Sequence, residues 1–116
     1  MKIKGKYWDY LNDLVATSDF VTERPKGTAH PRYSGFIYPL DYGYLKNTLS
    51  SDGDAVDAWV GRLNPEFISG IVCTVDTEER DVEVKLLLGC TIEEMNVILD
   101  THNQGTQAAF FIKRST

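Results

Sequence analysis

Two apolar segments joined by a short polar connection constrain the fold of this chain more than any other feature. The segments cover residues 70–75 and 82–88, and the connection between them contains Thr77-Glu78-Glu79-Arg80. Short runs rich in Val, Ile and Leu that are bounded by polar residues are typical of strands, and a connection of this length is typical of a hairpin. The sequence therefore predicts two paired strands here.

Helical patterns lie near both ends of the chain. Residues 7–15 have apolar side chains at helical spacing: Tyr7, Trp8, Leu11, Leu14 and Val15. Residues 91–94, Thr-Ile-Glu-Glu, have the form of a capping box, which predicts a helix that starts after Thr91 and runs to about residues 99–101. We expect this helix to bury Ile92, Met95, Val97 or Ile98, and Leu99.

Further extended segments are predicted at residues 20–23, 36–38, 58–60 and 108–113, with a loop over the Pro- and Gly-containing residues 24–35. A chain of 116 residues with 42% hydrophobic residues is expected to form one globular domain over residues 1–116. The pattern predicts an α+β protein, with five or six short strands in a small curled antiparallel sheet or β-barrel and a helix near each end.

Charge is distributed unevenly. Residues 1–46 hold 7 basic and 5 acidic side chains, whereas residues 47–116 hold 5 basic and 12 acidic ones. Nucleic acids and anionic membranes attract clustered Lys and Arg, so neither is an expected partner. The sequence has no apolar run long enough to span a bilayer and no secretory signal pattern, and Cys73 and Cys90 are expected to be reduced core residues. We expect a cytoplasmic protein.

The carboxylates of the second half concentrate in two places. Asp52, Asp54 and Asp57 lie within six residues, and Asp76 and Asp81 flank the predicted hairpin connection. Carboxylates so close together repel one another unless they are solvated or bind cations. A hard divalent cation such as Mg²⁺ prefers oxygen ligands and needs only a few carboxylates when a phosphate completes its coordination.

Two motifs fit the first cluster poorly. An EF-hand loop that starts at Asp52 requires an oxygen ligand, Gly and Glu at positions where this chain has Val56, Asp57 and Leu63. The string Asp52-Gly53-Asp54-Ala55-Val56 also fits the aspartate motif of haloacid-dehalogenase-type phosphatases, but the segment before it is polar rather than a buried strand.

A longer pattern resembles the signature region of the soluble family I inorganic pyrophosphatases. It consists of Tyr38-Pro39-Leu40-Asp41-Tyr42-Gly43-Tyr44, then Thr48-Leu49, then Asp52-Gly53-Asp54-Ala55-Val56-Asp57. The upstream segments around Glu23 and Arg32 and the spacing of Asp76 and Asp81 also resemble the family. The resemblance implies an OB-like barrel of the pyrophosphatase type, hydrolysis of pyrophosphate at two Mg²⁺ ions, with Mn²⁺ as the alternative metal, and a homo-oligomer.

The resemblance also implies roles for individual residues. Metal ligands would be Asp52, Asp57, Asp76 and Asp81, with Glu23 in the outer shell. The catalytic pair would be Asp54, which helps to deprotonate the attacking water, and Tyr42, which lies beside that water. Arg32 matches a phosphate-binding lysine of the family. Lys85, Tyr38 and His102 are further residues expected to bind phosphate, Lys85 and His102 as substitutes where the chain departs from the family pattern. Two metals that share a water lower its pKa, while cationic side chains neutralise the leaving phosphate.

The chain departs from the family pattern on the phosphate side. A phosphate-binding arginine is missing between Tyr33 and Phe36, Ser34 replaces a glutamate, Glu83 replaces a lysine, and His102-Asn103 replaces a Tyr-Lys pair. Lys26, Arg62, Arg80 and Lys85 are candidate substitutes. Reduced activity is therefore expected. Three alternatives stay open: a hydrolase of another phosphoanhydride or phosphate ester, a non-catalytic metal- or phosphate-binding module, and a nucleic-acid-binding barrel.

Overall fold

The computed structural model describes residues 5–114. Two helices and six strands form in this part of the chain. They are α1 (Gly5–Ala16), β1 (Phe20–Arg24), β2 (Asp41–Leu45), β3 (Val56–Val60), β4 (Ile68–Asp76), β5 (Asp81–Leu88), α2 (Ile92–His102) and β6 (Gln107–Lys113). The predicted hairpin, both predicted helices, the first strand and the last strand are confirmed.

All six strands join one sheet in the order β1-β2-β3-β5-β4-β6. The pairing of β3 with β5 is parallel and the other pairings are antiparallel, so the sheet is mixed and the predicted all-antiparallel sheet is wrong. Strands β1 and β6 form the two edges. Closure into a barrel is not confirmed for residues 5–114.

Strand β2 was not predicted, because its residues read as part of a motif rather than as an apolar run. Its central residue Gly43 lies opposite Thr22 of β1, and a Cβ atom at this position would collide with the carbonyl oxygen of Val21. Gly43 is therefore what allows β1 and β2 to pair closely.

The predicted extended segment at residues 36–38 forms only an isolated bridge between Ala29 and Ile37.

The capping box of α2 is present. The Thr91 hydroxyl accepts a hydrogen bond from the backbone N–H of Glu94, and the Glu94 carboxylate accepts one from the backbone N–H of Thr91. Met95, Ile98 and His102 are buried on the sheet-facing side, since spacings of four and three residues align them. The expected burial of Ile92 is wrong, because its side chain is exposed. Of the two alternatives Val97 and Ile98, Ile98 is the buried residue, and Leu99 is half-buried.

Two apolar clusters lie on opposite faces of the sheet. Helix α1 covers one face with Trp8 and Val15, while Tyr7 and Leu14 remain exposed. Helix α2 covers part of the other face. No helix within residues 5–114 has the length and apolar character needed to cross a bilayer. Cys73 and Cys90 are free thiols.

Candidate functional site

One face of the sheet carries a row of polar side chains. Along β5, Asp81, Glu83 and Lys85 are spaced two residues apart and therefore lie on the same face of the strand. In the pairing with β4, Asp76 lies directly opposite Asp81. The next residue on this face, Leu87, belongs to the apolar cluster under α2. The polar row therefore begins where the apolar core ends and continues to the hairpin.

Lys85 is the best-connected side chain of this row. Its Nζ donates to the Tyr42 hydroxyl at 2.6 Å, to Glu83 Oε2 at 2.7 Å and to Asp57 Oδ2 at 3.2 Å. The Tyr42 hydroxyl donates in turn to Asp57 Oδ2 at 2.9 Å. Side chains from β2, β3 and β5 thus converge on one ammonium group, although Tyr42, Asp57 and Lys85 are far apart in the sequence.

The environment of this cluster stabilises Lys85 in its charged form. Burial acts to lower the pKa of Lys85, but Tyr42, Asp57 and Glu83 outweigh burial and hold the pKa above its ordinary value. Burial raises the pKa of the Tyr42 hydroxyl, which therefore stays protonated at neutral pH. The cluster consequently presents an ammonium, a neutral phenol and two carboxylates.

Asp76 and Asp81 form a second group at the hairpin end of the row. Asp76 Oδ1 accepts hydrogen bonds from the backbone N–H groups of Glu78 and Glu79 at 2.9 and 3.1 Å and from the Thr106 hydroxyl at 2.9 Å. The bond from Glu79 leads the contacts that lower the pKa of Asp76. The pKa of Asp81 is raised by burial and by neighbouring carboxylates, which marks a place where negative charge is crowded.

Asp52 lies in the loop before β3. Its Oδ1 accepts from the Ser50 hydroxyl at 2.5 Å and from the backbone N–H of Asp54 at 2.9 Å, and the Ser50 bond is the main reason that its pKa is lowered. Gly53 has a φ of +90°, a conformation that glycine adopts without strain. Asp52 and Asp57 line a small cavity of about 30 Å³ together with Glu83.

A larger cavity opens over the hairpin half of the row. Its volume is about 560 Å³, which is within the range of about 300–1,000 Å³ that is usual for small-molecule pockets. Its charged lining residues include Arg32, Asp76, Asp81, Glu83 and Lys85. In the sheet, β5 lies between β3 and β4 and so separates the Asp57 side of the site from the Asp76 side, and Glu83 of β5 lines both cavities.

Arg32 reaches the larger cavity from the loop between β1 and β2. Its Nη2 donates to Glu79 Oε1 at 3.0 Å and to the Tyr33 hydroxyl at 3.3 Å. Both partners of the Arg32–Glu79 ion pair are at least half exposed, and solvent screening leaves such an exposed pair with little effect on stability. The guanidinium can therefore exchange Glu79 for an anionic ligand at little cost. Of the four candidate substitutes, only Lys85 lines this cavity.

His102 does not have the geometry expected of a substitute for the family's phosphate-binding Tyr-Lys pair. The side chain is only 5% exposed, its Nε2 accepts from Trp59 Nε1 at 3.0 Å, and its Nδ1 lies 3.0 Å from Gln107 Oε1. Burial lowers its pKa to about 4, so the imidazole is neutral at pH 7. Its expected phosphate role is wrong because the ring is part of the core and both nitrogens already have partners.

Three other expected site residues lie outside the Lys85 cluster. Tyr38 is buried and packs against His30, Tyr42 and Trp59 as a core aromatic residue. Glu23 is exposed at an irregularity in the pairing of β1 with β2, and Asp54 is exposed in the loop before β3. Neither Glu23 nor Asp54 lines either of the two cavities.

The carboxylates of the two cavities are candidate ligands of a divalent cation. Within residues 5–114, no three His, Cys, Asp or Glu side chains are arranged as a metal site. The carboxylates instead come in the pairs Asp52–Asp57 and Asp76–Asp81. Since Mg²⁺ keeps several waters and is often held by one or two carboxylates plus substrate phosphate, such pairs fit it chemically.

Sequence reasoning missed several contacts of the site. Glu83 was noted only as a departure from the family pattern, yet its carboxylate accepts a hydrogen bond from Lys85. In addition, the Thr106 hydroxyl donates to Asp76, and Glu79 forms an ion pair with Arg32. Their partners are 2, 30 and 47 residues away in the sequence. Only the alternation of Glu83 and Lys85 on one strand face was a usable signal. The other two contacts depend on the tertiary fold.

Comparison with known proteins identifies a related family. Residues 21–77 match the family model described as inorganic pyrophosphatase. An inorganic pyrophosphatase from Geobacillus stearothermophilus is 39% identical over 70 residues, and one from Leifsonia xyli is 46% identical over 35 residues. The first match covers 53% of this chain and 41% of the relative, and the second covers 30% and 22%. The chain thus spans less than half the length of these curated relatives.

Solved structures agree at the level of the fold. An inorganic pyrophosphatase from Neisseria gonorrhoeae superposes with a TM-score of 0.61 at 20% identity and covers 77% of both chains. One from Helicobacter pylori gives 0.59 at 19% identity and covers 84% of both. The segment that matches the family model contains Asp52, Asp54 and Asp57, whereas Asp81 and Lys85 lie beyond it. Over residues 21–77, just under half of its length, the chain is therefore similar to the inorganic pyrophosphatase family.

Proposed function

We propose that this chain hydrolyses inorganic pyrophosphate to two phosphates in a reaction that depends on a divalent cation. One observation carries the proposal: the Asp57 carboxylate of the family segment is held by the Tyr42 hydroxyl and by the buried Lys85 ammonium, beside two cavities lined with further carboxylates. Oxygen donors and fixed cations in one place suit phosphoryl transfer, which requires positioning and charge neutralisation more than covalent chemistry.

The carboxylate pairs are the proposed cation ligands. Asp76 with Asp81 and Asp52 with Asp57 would hold Mg²⁺, or Mn²⁺ in its place, and a bound cation would lower the pKa of a coordinated water. Tyr42 stays protonated and orients Asp57 through its hydrogen bond. The hydrogen bonds from Tyr42 and Lys85 hold Asp57 Oδ2 in place. Asp57 Oδ1 has no hydrogen-bond partner within the described residues.

The remaining residues have supporting roles in the proposal. Asp54 takes the proton of the attacking water, and Glu23 orders solvent at the edge of the site. Arg32 and Lys85 line the larger cavity and neutralise the charge of the phosphates. Charge-assisted contacts of this kind are stronger than hydrogen bonds between neutral groups. The predicted homo-oligomer and cytoplasmic location stay predictions.

A pyrophosphate hydrolysis assay with and without Mg²⁺ tests the proposal. We expect phosphate release that requires Mg²⁺ and falls by at least about tenfold in Asp57→Asn and in Asp54→Asn, since each removes a negative charge that acts on the cation or the water. Asp13→Asn is the matched control, because Asp13 is exposed on α1, which covers the face of the sheet opposite the polar row. Unchanged turnover in both site variants would reject their assigned roles.

The larger cavity favours a second candidate function. A volume of about 560 Å³ with few cations leaves room for a bulkier phosphoanhydride or phosphate ester. A panel that compares pyrophosphate with nucleoside triphosphates and aryl phosphates under Mg²⁺ and Mn²⁺ separates the two functions. The highest kcat/KM for pyrophosphate would reject the second candidate, and binding of pyrophosphate without turnover would instead support a non-catalytic module.

A further inference from the structure

Lys85 has an unusual position for a lysine. The residue is 9% exposed, and its ammonium lies among three oxygen atoms at 2.6, 2.7 and 3.2 Å that belong to Tyr42, Glu83 and Asp57. Buried charges of this kind are stable only when they are paired and hydrogen-bonded. The Lys85 ammonium is therefore held by protein groups, whereas an exposed surface lysine would have a free ammonium that could bind a phosphate.

The other carboxylate pair is arranged differently. Within residues 5–114, neither Asp76 nor Asp81 forms an ion pair, whereas Asp57 and Glu83 share Lys85. Both carboxylates that hold Lys85 also line the small cavity beside Asp52. Of the two places proposed for a divalent cation, one is therefore already supplied with positive charge by the protein itself.

We propose that Lys85 is a tethered cation that takes the place of one divalent ion between Asp57 and Glu83. The inference rests on the proposed function and deepens it, since it states how many ions the chain binds before substrate arrives. A substrate-free chain then binds one divalent ion, at Asp76 and Asp81, rather than two, and an ion at Asp52 and Asp57 would bind only together with the substrate phosphate. The ammonium shields Asp57 and Glu83 from each other, and because it is part of the chain it does not dissociate at low metal concentration.

Calorimetric titration with Mn²⁺ in the absence of substrate tests the inference. We expect one Mn²⁺ per chain for the wild type and for Lys85→Arg, which keeps the charge. Lys85→Met removes the charge while keeping an unbranched side chain, and we expect it to bind two Mn²⁺. Adding Asp57→Asn to Lys85→Met should return the count to one. A Lys85→Met count that does not exceed the wild-type count would overturn the inference.

Lys85→Met leaves two partly buried carboxylates without a cation, so its folding must be checked by circular dichroism. If this variant does not fold, the wild-type count decides, because two Mn²⁺ per substrate-free chain would contradict the inference and one would support it. The count is independent of turnover. A chain that fails to hydrolyse pyrophosphate but gains a second ion in Lys85→Met would reject the proposed function and retain the inference.

Discussion

At the scale of single residues, identical residue types have different roles because their surroundings differ. Asp57 is held by a buried ammonium, Asp76 by backbone N–H groups, and Asp81 faces other carboxylates. These environments set which carboxylate is neutralised by a cationic side chain of the protein and which is not. The sequence presents all three simply as aspartates, so their individual roles could not be separated from sequence alone.

His102 makes stability depend on pH. Its pKa is lowered to about 4 in the folded protein by burial, against about 6.5 in the unfolded chain, so the unfolded state takes up the proton first as pH falls. The contribution of His102 is therefore fully present above pH 6.5 and declines between pH 6.5 and 4. A shift of this size corresponds to at most about 3 kcal/mol.

Urea denaturation of the wild type and of His102→Gln between pH 4 and 7.5 measures this effect. Glutamine keeps an acceptor for Trp59 Nε1 but does not titrate. We expect the difference in the free energy of unfolding between the two proteins to change by about 3 kcal/mol across this range, with the wild type losing more stability at low pH. A difference that is constant with pH would contradict the burial argument.

At the scale of secondary structure elements, local patterns predicted most of the fold. The hairpin of β4 and β5 follows from two apolar runs and a short connection, and α2 follows from its capping box. Strand β2 was not predicted, because its five residues, Asp-Tyr-Gly-Tyr-Leu, do not alternate regularly between apolar and polar side chains. The parallel pairing of β3 with β5 was not predicted either, since these two strands are separated along the chain by β4.

Gly43 tests the packing of β1 against β2. In Gly43→Ala the new Cβ atom would meet the Val21 carbonyl oxygen, which is backbone and cannot rotate away. We expect a loss of about 3 kcal/mol in the free energy of unfolding, measured by urea denaturation. Gly35→Ala is the control, because a Cβ atom there has no neighbour within 4 Å. Equal stabilities of the two variants would show that β1 and β2 pair less closely than described.

At the scale of the whole molecule, the two faces of the sheet differ: one is an apolar packing surface, and the other also carries the polar site. One face packs under α1 as an apolar core, and the other is apolar under α2 and polar towards the hairpin. The net charge of −5 arises largely from residues 47–116, which supply the carboxylates of this polar region. Seven of the twelve acidic residues in this half line the two cavities of the site.

Cation binding at this place should stabilise the fold as a whole. A ligand that binds only the folded state at 100 times its Kd adds about 2.7 kcal/mol to the free energy of unfolding. We therefore expect Mg²⁺ to raise the Tm of the wild type by several degrees, and Asp76→Asn to lose most of that increase. Differential scanning fluorimetry with and without Mg²⁺ measures both. The same Tm increase in Asp76→Asn would place the stabilising cation elsewhere.

The amino-acid sequence by itself determined the helices, the hairpin, the acidic concentration and the resemblance of residues 38–57 to a known family, because these depend on neighbouring residues or on short fixed spacings. Only the tertiary structure decided that Lys85 meets Asp57, that Arg32 meets Glu79 and that His102 is buried rather than exposed to a phosphate. Those outcomes depend on sheet order and register, which bring together side chains that are 28 to 47 residues apart.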